Sequence, residues 1–149
     1  MTDNSLNILF GNLLSEGKTV QIAVTGLSMF PFLLPDDVIQ VSPITPENFK
    51  KGMVVVFQSD NIWIAHRLIK FDNKKEVAYT RGDGRATKDA PLSYEQIKGV
   101  AVKIVKSRWK LAKCSIGKYS GAIAFCSPVL GIVFRGVTYL FSIWNRLMR

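Results

Sequence analysis

The sequence predicts a mainly β domain with one helix in front of it and an apolar, helical tail behind. Three observations carry that prediction. Short runs rich in β-branched and aromatic residues recur between about residues 18 and 106, each bounded by Gly, Pro, Asn or Asp. Only the first 15 residues place apolar side chains at helical spacing before that region begins. Charge divides the chain: up to Glu95 there are 10 Lys/Arg against 11 Asp/Glu, and from Gln96 onward 10 Lys/Arg with no acid. At 149 residues there is length for one core and an appendage. The expected organisation is an N-terminal amphipathic helix (1–17), a β domain (18–106) and a basic, apolar tail (107–149).

Asp3 or Asn4 caps a helix running from Ser5 to about Ser15, in which Leu6, Leu9, Phe10, Leu13 and Leu14 share one face. Packing on the core is the favoured role for that face, ahead of lying on a membrane or touching a substrate. Thr19 to Thr25 alternates β-branched residues and reads as a strand feeding a turn. In that turn Gly26 frees the backbone, Pro31 stiffens the exit, and Met29 with Phe30-Pro31 packs beneath, leaving Ser28 as the hydroxyl on the bend. Strands follow at Asp37–Val41, Met53–Phe57, Asn61–Phe71 and Glu76–Thr80, with a proline-rich loop at 42–47 and a turn at 72–75. Ser93–Gln96 reads as one helical turn and Ile97–Val105 as a closing strand, for about seven strands in all. No repeat or low-complexity tract interrupts this order.

The residues able to carry chemistry are few. A serine hydroxyl is inert near neutral pH without a base in hydrogen-bond reach and donors for an oxyanion, and the chain has a single histidine, His66. Alternation puts Ile62, Ile64, His66, Leu68 and Lys70 on one strand face. A histidine among such neighbours is commonly a core residue; beside the Ser28 turn and the Gly82-Asp83-Gly84 loop it reads as a base. Asp83 either closes an Asx-type turn or orients His66, and Asp89, before Ala90-Pro91, is the alternative orienting group. The two cysteines, Cys114 and Cys126, have no His or Cys at zinc spacing; two buried or lipid-facing thiols are the favoured reading ahead of a disulfide, and no metal and no cofactor is expected.

Taken in order, Thr25-Gly26-Leu27-Ser28-Met29-Phe30-Pro31, Lys51-Gly52-Met53-Val54-Val55-Val56-Phe57, Ile64-Ala65-His66-Arg67-Leu68, Arg81-Gly82-Asp83-Gly84 with Asp89, and Ile97-Lys98-Gly99-Val100-Ala101 resemble the S24/S26 serine peptidases, the group of type I signal peptidases and self-cleaving repressors. His66-Arg67 is similar to the endoplasmic-reticulum and archaeal-like branch, where histidine replaces the usual lysine base. The resemblance implies a coiled β fold and a serine endopeptidase that cleaves a leader or signal peptide after small, Ala-like side chains. It implies Ser28 as nucleophile, His66 as general base, and Asp83 with Asp89 as acidic partners. Gly26, Ser28 and Met29 would shape the oxyanion turn, with the Ser28 N–H as one donor, and Pro31 and Gly82 would be structural. Gly26 stands where some members carry a helping hydroxyl. Asp36-Asp37 and Gly52-Met53 stand where the family usually has Gly-Asp.

Lysines and arginines from Lys103 to Lys118 precede an uncharged run of 14 residues, Gly121–Phe134, short of the about 20 that cross hydrocarbon as a helix. Extended to Trp144 it is 24 positions long with Arg135 inside. An interfacial helix, a strained span and a cap on the β body all fit; membrane contact is favoured by Tyr139, Phe141, Trp144 and the flanking arginines. A basic, apolar tail suits an anionic membrane better than nucleic acid. No cleavable signal peptide or N-terminal anchor is visible, which leaves the side of the membrane open, the cytoplasmic face included. The expected partners are a peptide or preprotein and a membrane surface. A non-catalytic peptide-binding or membrane-docking module on the same β fold is the alternative. A DNA-bound repressor is disfavoured, because the residues before Ser28 hold one helix, too few for a helix-turn-helix reader.

Overall fold

A computed structural model describes residues 3–59, 62–108, 110, 112–116, 120–125, 129, 133 and 136. The chain forms helix α1 (Asp3–Ser15) and strands β1 (Val20–Ala23), β2 (Val38–Ser42), β3 (Val54–Ser59), β4 (Ile62–Asp72), β5 (Val77–Arg81), β6 (Leu92–Ser93) and β7 (Ile97–Lys106). A 3-10 turn at Tyr94–Gln96 leads into β7, and a short helix α2 (Ala112–Ser115) follows it. All seven strands join one antiparallel sheet in the order β1-β2-β7-β3-β4-β5-β6. The mainly β class expected from the runs between residues 18 and 106 is therefore the observed one.

The continuous apolar run Val54-Val55-Val56-Phe57 explains why β3 sits mid-sheet. Successive side chains of a strand leave on opposite faces, and both faces here are covered. Val54 and Val56 join a cluster with Leu14, Met29, Leu33 and Ile39, whereas Val55 and Phe57 join Leu68, Ala78, Leu92 and Ile97. All four β3 residues are buried. In β4 the same alternation sends Trp63 and Ala65 to the first cluster and Ile64 and Leu68 to the second. Register Val55↔His66 and Val54↔Arg67 thus puts His66 on the second face and Arg67 on the first.

Several expectations shift in detail. Asp3 and Asn4 lie within the first turn of α1, so the helix starts earlier than the apolar spacing suggests. Of its apolar face, Leu14 is buried and Phe10 packs on Trp63, ring centres 4.4 Å apart and tilted by 58°, but Leu6 and Leu9 are exposed. The two-residue β6 has no sequence signal of its own; it pairs with Val77 and Ala78 of β5. Asp36 sits at φ 71, a left-handed position that Asp tolerates better than most residues. Asp37 is buried and its carboxylate accepts the Leu34 N–H at 2.9 Å, a turn-forming role.

The tail does not begin where the core ends. Ala112 is fully buried in the first cluster, and Ser115, Ser120, Ile123 and Ala124 are buried as well. Most of the apolar stretch after residue 125 lies outside the described residues, as does Cys126. Cys114 is a half-buried free thiol. Among the described residues no helix is long and apolar enough to cross a membrane.

β7 runs between β2 and β3, and at Gly99 it has no room for a side chain against β2. A methyl group there would stand 2.6 Å from Val41 Cγ1 and 2.8 Å from the Ser42 carbonyl oxygen. Gly99→Ala is expected to destabilise the fold by about 1–3 kcal/mol, the usual cost of overpacking, read as a lower urea midpoint.

Candidate active site

Ser28 follows β1 on a turn closed by the Phe30 N–H donating to the Leu27 carbonyl at 3.1 Å. Met29 and Leu33, buried under the turn, fix it to the first core cluster. Its other anchor comes from the loop after β5, where the Gly84 N–H donates to the Ser28 carbonyl at 2.9 Å. The Phe30-Pro31 peptide is cis. Gly26, expected to bend the chain, has no positive φ and would meet nothing if it carried a side chain, so the bend does not depend on it.

Gly82 is needed for a different reason than a loop glycine usually is. Its φ is not in the left-handed region, but a Cβ on it would collide with the Ser28 carbonyl oxygen and stand 3.1 Å from His66 Nε2. Only a bare Cα lets the serine turn and the imidazole close on the same spot. His66 is buried, with its ring edge toward Phe57 at 6.1 Å between ring centres. Nδ1 lies 2.6 Å from Asp89 Oδ2, and the same carboxylate oxygen accepts the Thr80 hydroxyl at 2.8 Å. Asp89 is held in place by its own N–H, which donates to the Thr80 carbonyl at 2.9 Å.

Of the two candidate orienting groups, Asp89 meets His66 and Asp83 does not. The reason is strand geometry: Arg67 leaves β4 on the face opposite His66 and takes the Asp83 carboxylate, Nε to Oδ1 at 2.7 Å and Nη2 to Oδ2 at 2.6 Å. Both side chains are fully buried. Asp83 therefore acts on the site through its loop. Thr80, and Gly52, whose carbonyl accepts Arg67 Nη1 at 2.6 Å, also shape the site; a strand-end threonine gives no sequence signal, and the Lys51–Phe57 run that contains Gly52 gives no sign that its carbonyl meets an arginine.

Ser28, His66 and Asp89 line one cleft of about 510 Å³, walled by Ile22, Ile62, Ile64 and Leu92 with Arg85 and Lys88 at its rim. Ser28 itself is half-buried. Among the described residues the Ser28 hydroxyl makes no hydrogen bond, and no cluster of His, Cys, Asp and Glu could hold a metal ion. The sequence matches no protein-family model and no curated protein.

Burial pushes the Asp89 carboxyl up, but the hydrogen bond and charge of His66, the Thr80 hydroxyl and Arg85 outweigh it, and the net shift is downward. For Asp83 the balance goes the other way: burial raises it against the lowering by Arg67, Arg81 and His66.

Because its folded-state value is depressed, Asp89 contributes stability that is complete above the ordinary carboxylate value of about 3.9 and is lost as pH falls through the lower folded value. Asp89→Asn is expected to lower the melting temperature near neutral pH and to flatten the acid limb of a Tm profile against pH. Asp83→Asn strands a buried guanidinium and is expected to cost about 3–5 kcal/mol, measured by urea unfolding at neutral pH.

Proposed function

We propose that the protein is a serine endopeptidase of the signal-peptidase type, built on the coiled β fold of the S24/S26 peptidases, that cleaves a leader or signal peptide. The observation that carries this reading is the imidazole of His66, held at Nδ1 by Asp89, with Nε2 and the Ser28 carbonyl both lying against Gly82 and both residues lining one open cleft. An aspartate at Nδ1 fixes the tautomer in which Nε2 accepts a proton.

In the proposed reaction the Ser28 hydroxyl rotates toward Nε2, attacks the peptide carbonyl and passes its proton to His66. The tetrahedral oxyanion collapses to an acyl-enzyme as the imidazolium returns the proton to the leaving amine. Water, deprotonated by the same nitrogen, then releases the acid and restores the serine. Asp89 stabilises the imidazolium in both halves, and the backbone N–H of Ser28 is one oxyanion donor. The apolar walls suit small uncharged side chains near the scissile bond.

Work at a membrane surface is part of the proposal. Leu27, next to Ser28, and Ile62, at the cleft, are each 64% exposed, Phe125, Val129 and Val133 are exposed along the tail, and the charged side chains of the last third of the chain are all basic. The unmade hydrogen bond at Ser28 favours one rival, a peptide-binding module that uses the cleft without cutting.

Purified full-length protein incubated with a leader-peptide library is expected to yield defined cuts, with rates down about 1,000-fold or more in Ser28→Ala and His66→Ala. Cleavage that survives Ser28→Ala would falsify the peptidase. Saturable peptide binding without any cut, equal in Ser28→Ala, would establish the binding module.

A further inference from the structure

Arg67 has five N–H donors to place and no access to water, since it is 0% exposed. Two go to Asp83 and one to the Gly52 carbonyl. The remaining two reach Ser115 in α2, Nη1 to its carbonyl at 3.0 Å and Nη2 to its hydroxyl at 3.4 Å. A buried donor without an acceptor is costly, so the guanidinium is complete only when the C-terminal segment is seated. Two further contacts hold that segment: Arg81 Nη2 donates to the Ala124 carbonyl at 3.4 Å, and the Ser120 hydroxyl lies 3.7 Å from Met53 Sδ.

These contacts form a connected path. Ser115 satisfies Arg67; Arg67 grips Asp83; Asp83 sits between Gly82, which abuts His66 Nε2 and the Ser28 carbonyl, and Gly84, whose N–H binds that carbonyl. We propose that the C-terminal residues 112–116 and 120–125 are a working part of the catalytic body, with Ser115 a positioning residue that sets the Ser28–His66 geometry through Arg67 and Asp83. This rests on the peptidase reading for its catalytic arm only.

Gly52 offers a wedge to unseat the segment. At φ +95, with a Cβ that would stand 2.6 Å from the Gly121 nitrogen and the Ser120 carbonyl carbon, Gly52→Ala forces the segment away; Gly17→Ala, at φ +80 with nothing within 4 Å, imposes similar backbone strain alone. Gly52→Ala is expected to speed trypsin cleavage after Lys113 and to lower kcat about 10- to 100-fold, as small displacements of reacting groups do. KM is expected to hold, because among the described residues none of the tail lines the cleft. Gly17→Ala is expected to leave kcat unchanged.

A second measurement needs neither a variant nor activity. In the unmodified protein under mild denaturant, amide hydrogen exchange at Gly84 is expected to accelerate together with that of residues 112–116 and 120–125. Full kcat in a Gly52→Ala protein with a protease-sensitive tail overturns the proposal, and so does a Gly84 amide that stays protected after the tail amides open. A wild-type protein that cuts no peptide sinks the peptidase reading and leaves the exchange result to decide this one.

Discussion

Neighbouring residues on a β strand must leave on opposite faces, and at positions 66 and 67 of β4 that rule divides the labour of the whole molecule. His66 goes to the cleft, where it meets Asp89, itself held by Thr80. Arg67 goes to the far face, where it gathers Asp83, Gly52 and Ser115. A register slip of one residue would exchange the two and put a guanidinium in the cleft. Pairing with β3 prevents it, since Val54 to Ser59 are matched to Arg67 to Ile62 without a bulge.

Burying an arginine and an aspartate together gains little net stability, because desolvation consumes most of the attraction. Geometric definition is what the pair supplies. The Asp83 carboxylate is gripped at both oxygens, so the loop from Gly82 to Asp89 has a fixed origin. That loop in turn touches Ser28 at its start and His66 at its end.

Much of this was legible in the residues and some was not. Apolar runs and turn residues located α1 and six of the strands, because their signals are local. β6 was not visible, because two residues carry no period. The Ser28 turn, His66 and the Gly82 loop were legible as candidates, yet the choice between Asp83 and Asp89 was not: it depends on which face Arg67 occupies and what waits there. Gly26 and Gly82 show the limit in another form. Gly26 reads from the sequence as the glycine that frees the turn, yet it is at Gly82 that the neighbourhood demands one. Ser115 gave no signal at all, since its role exists only through contact with a residue 48 positions away.

The loop between β5 and β6 also behaves unlike most surface connections, which tolerate changes in length. Gly84 is bonded to the serine turn and Asp89 to Thr80 in the strand behind it, so the span between them is fastened at both ends. Adding or deleting a single residue there would rotate the carboxylate off the imidazole, and homologous chains that keep the three polar groups should keep that interval constant while their other hairpins vary.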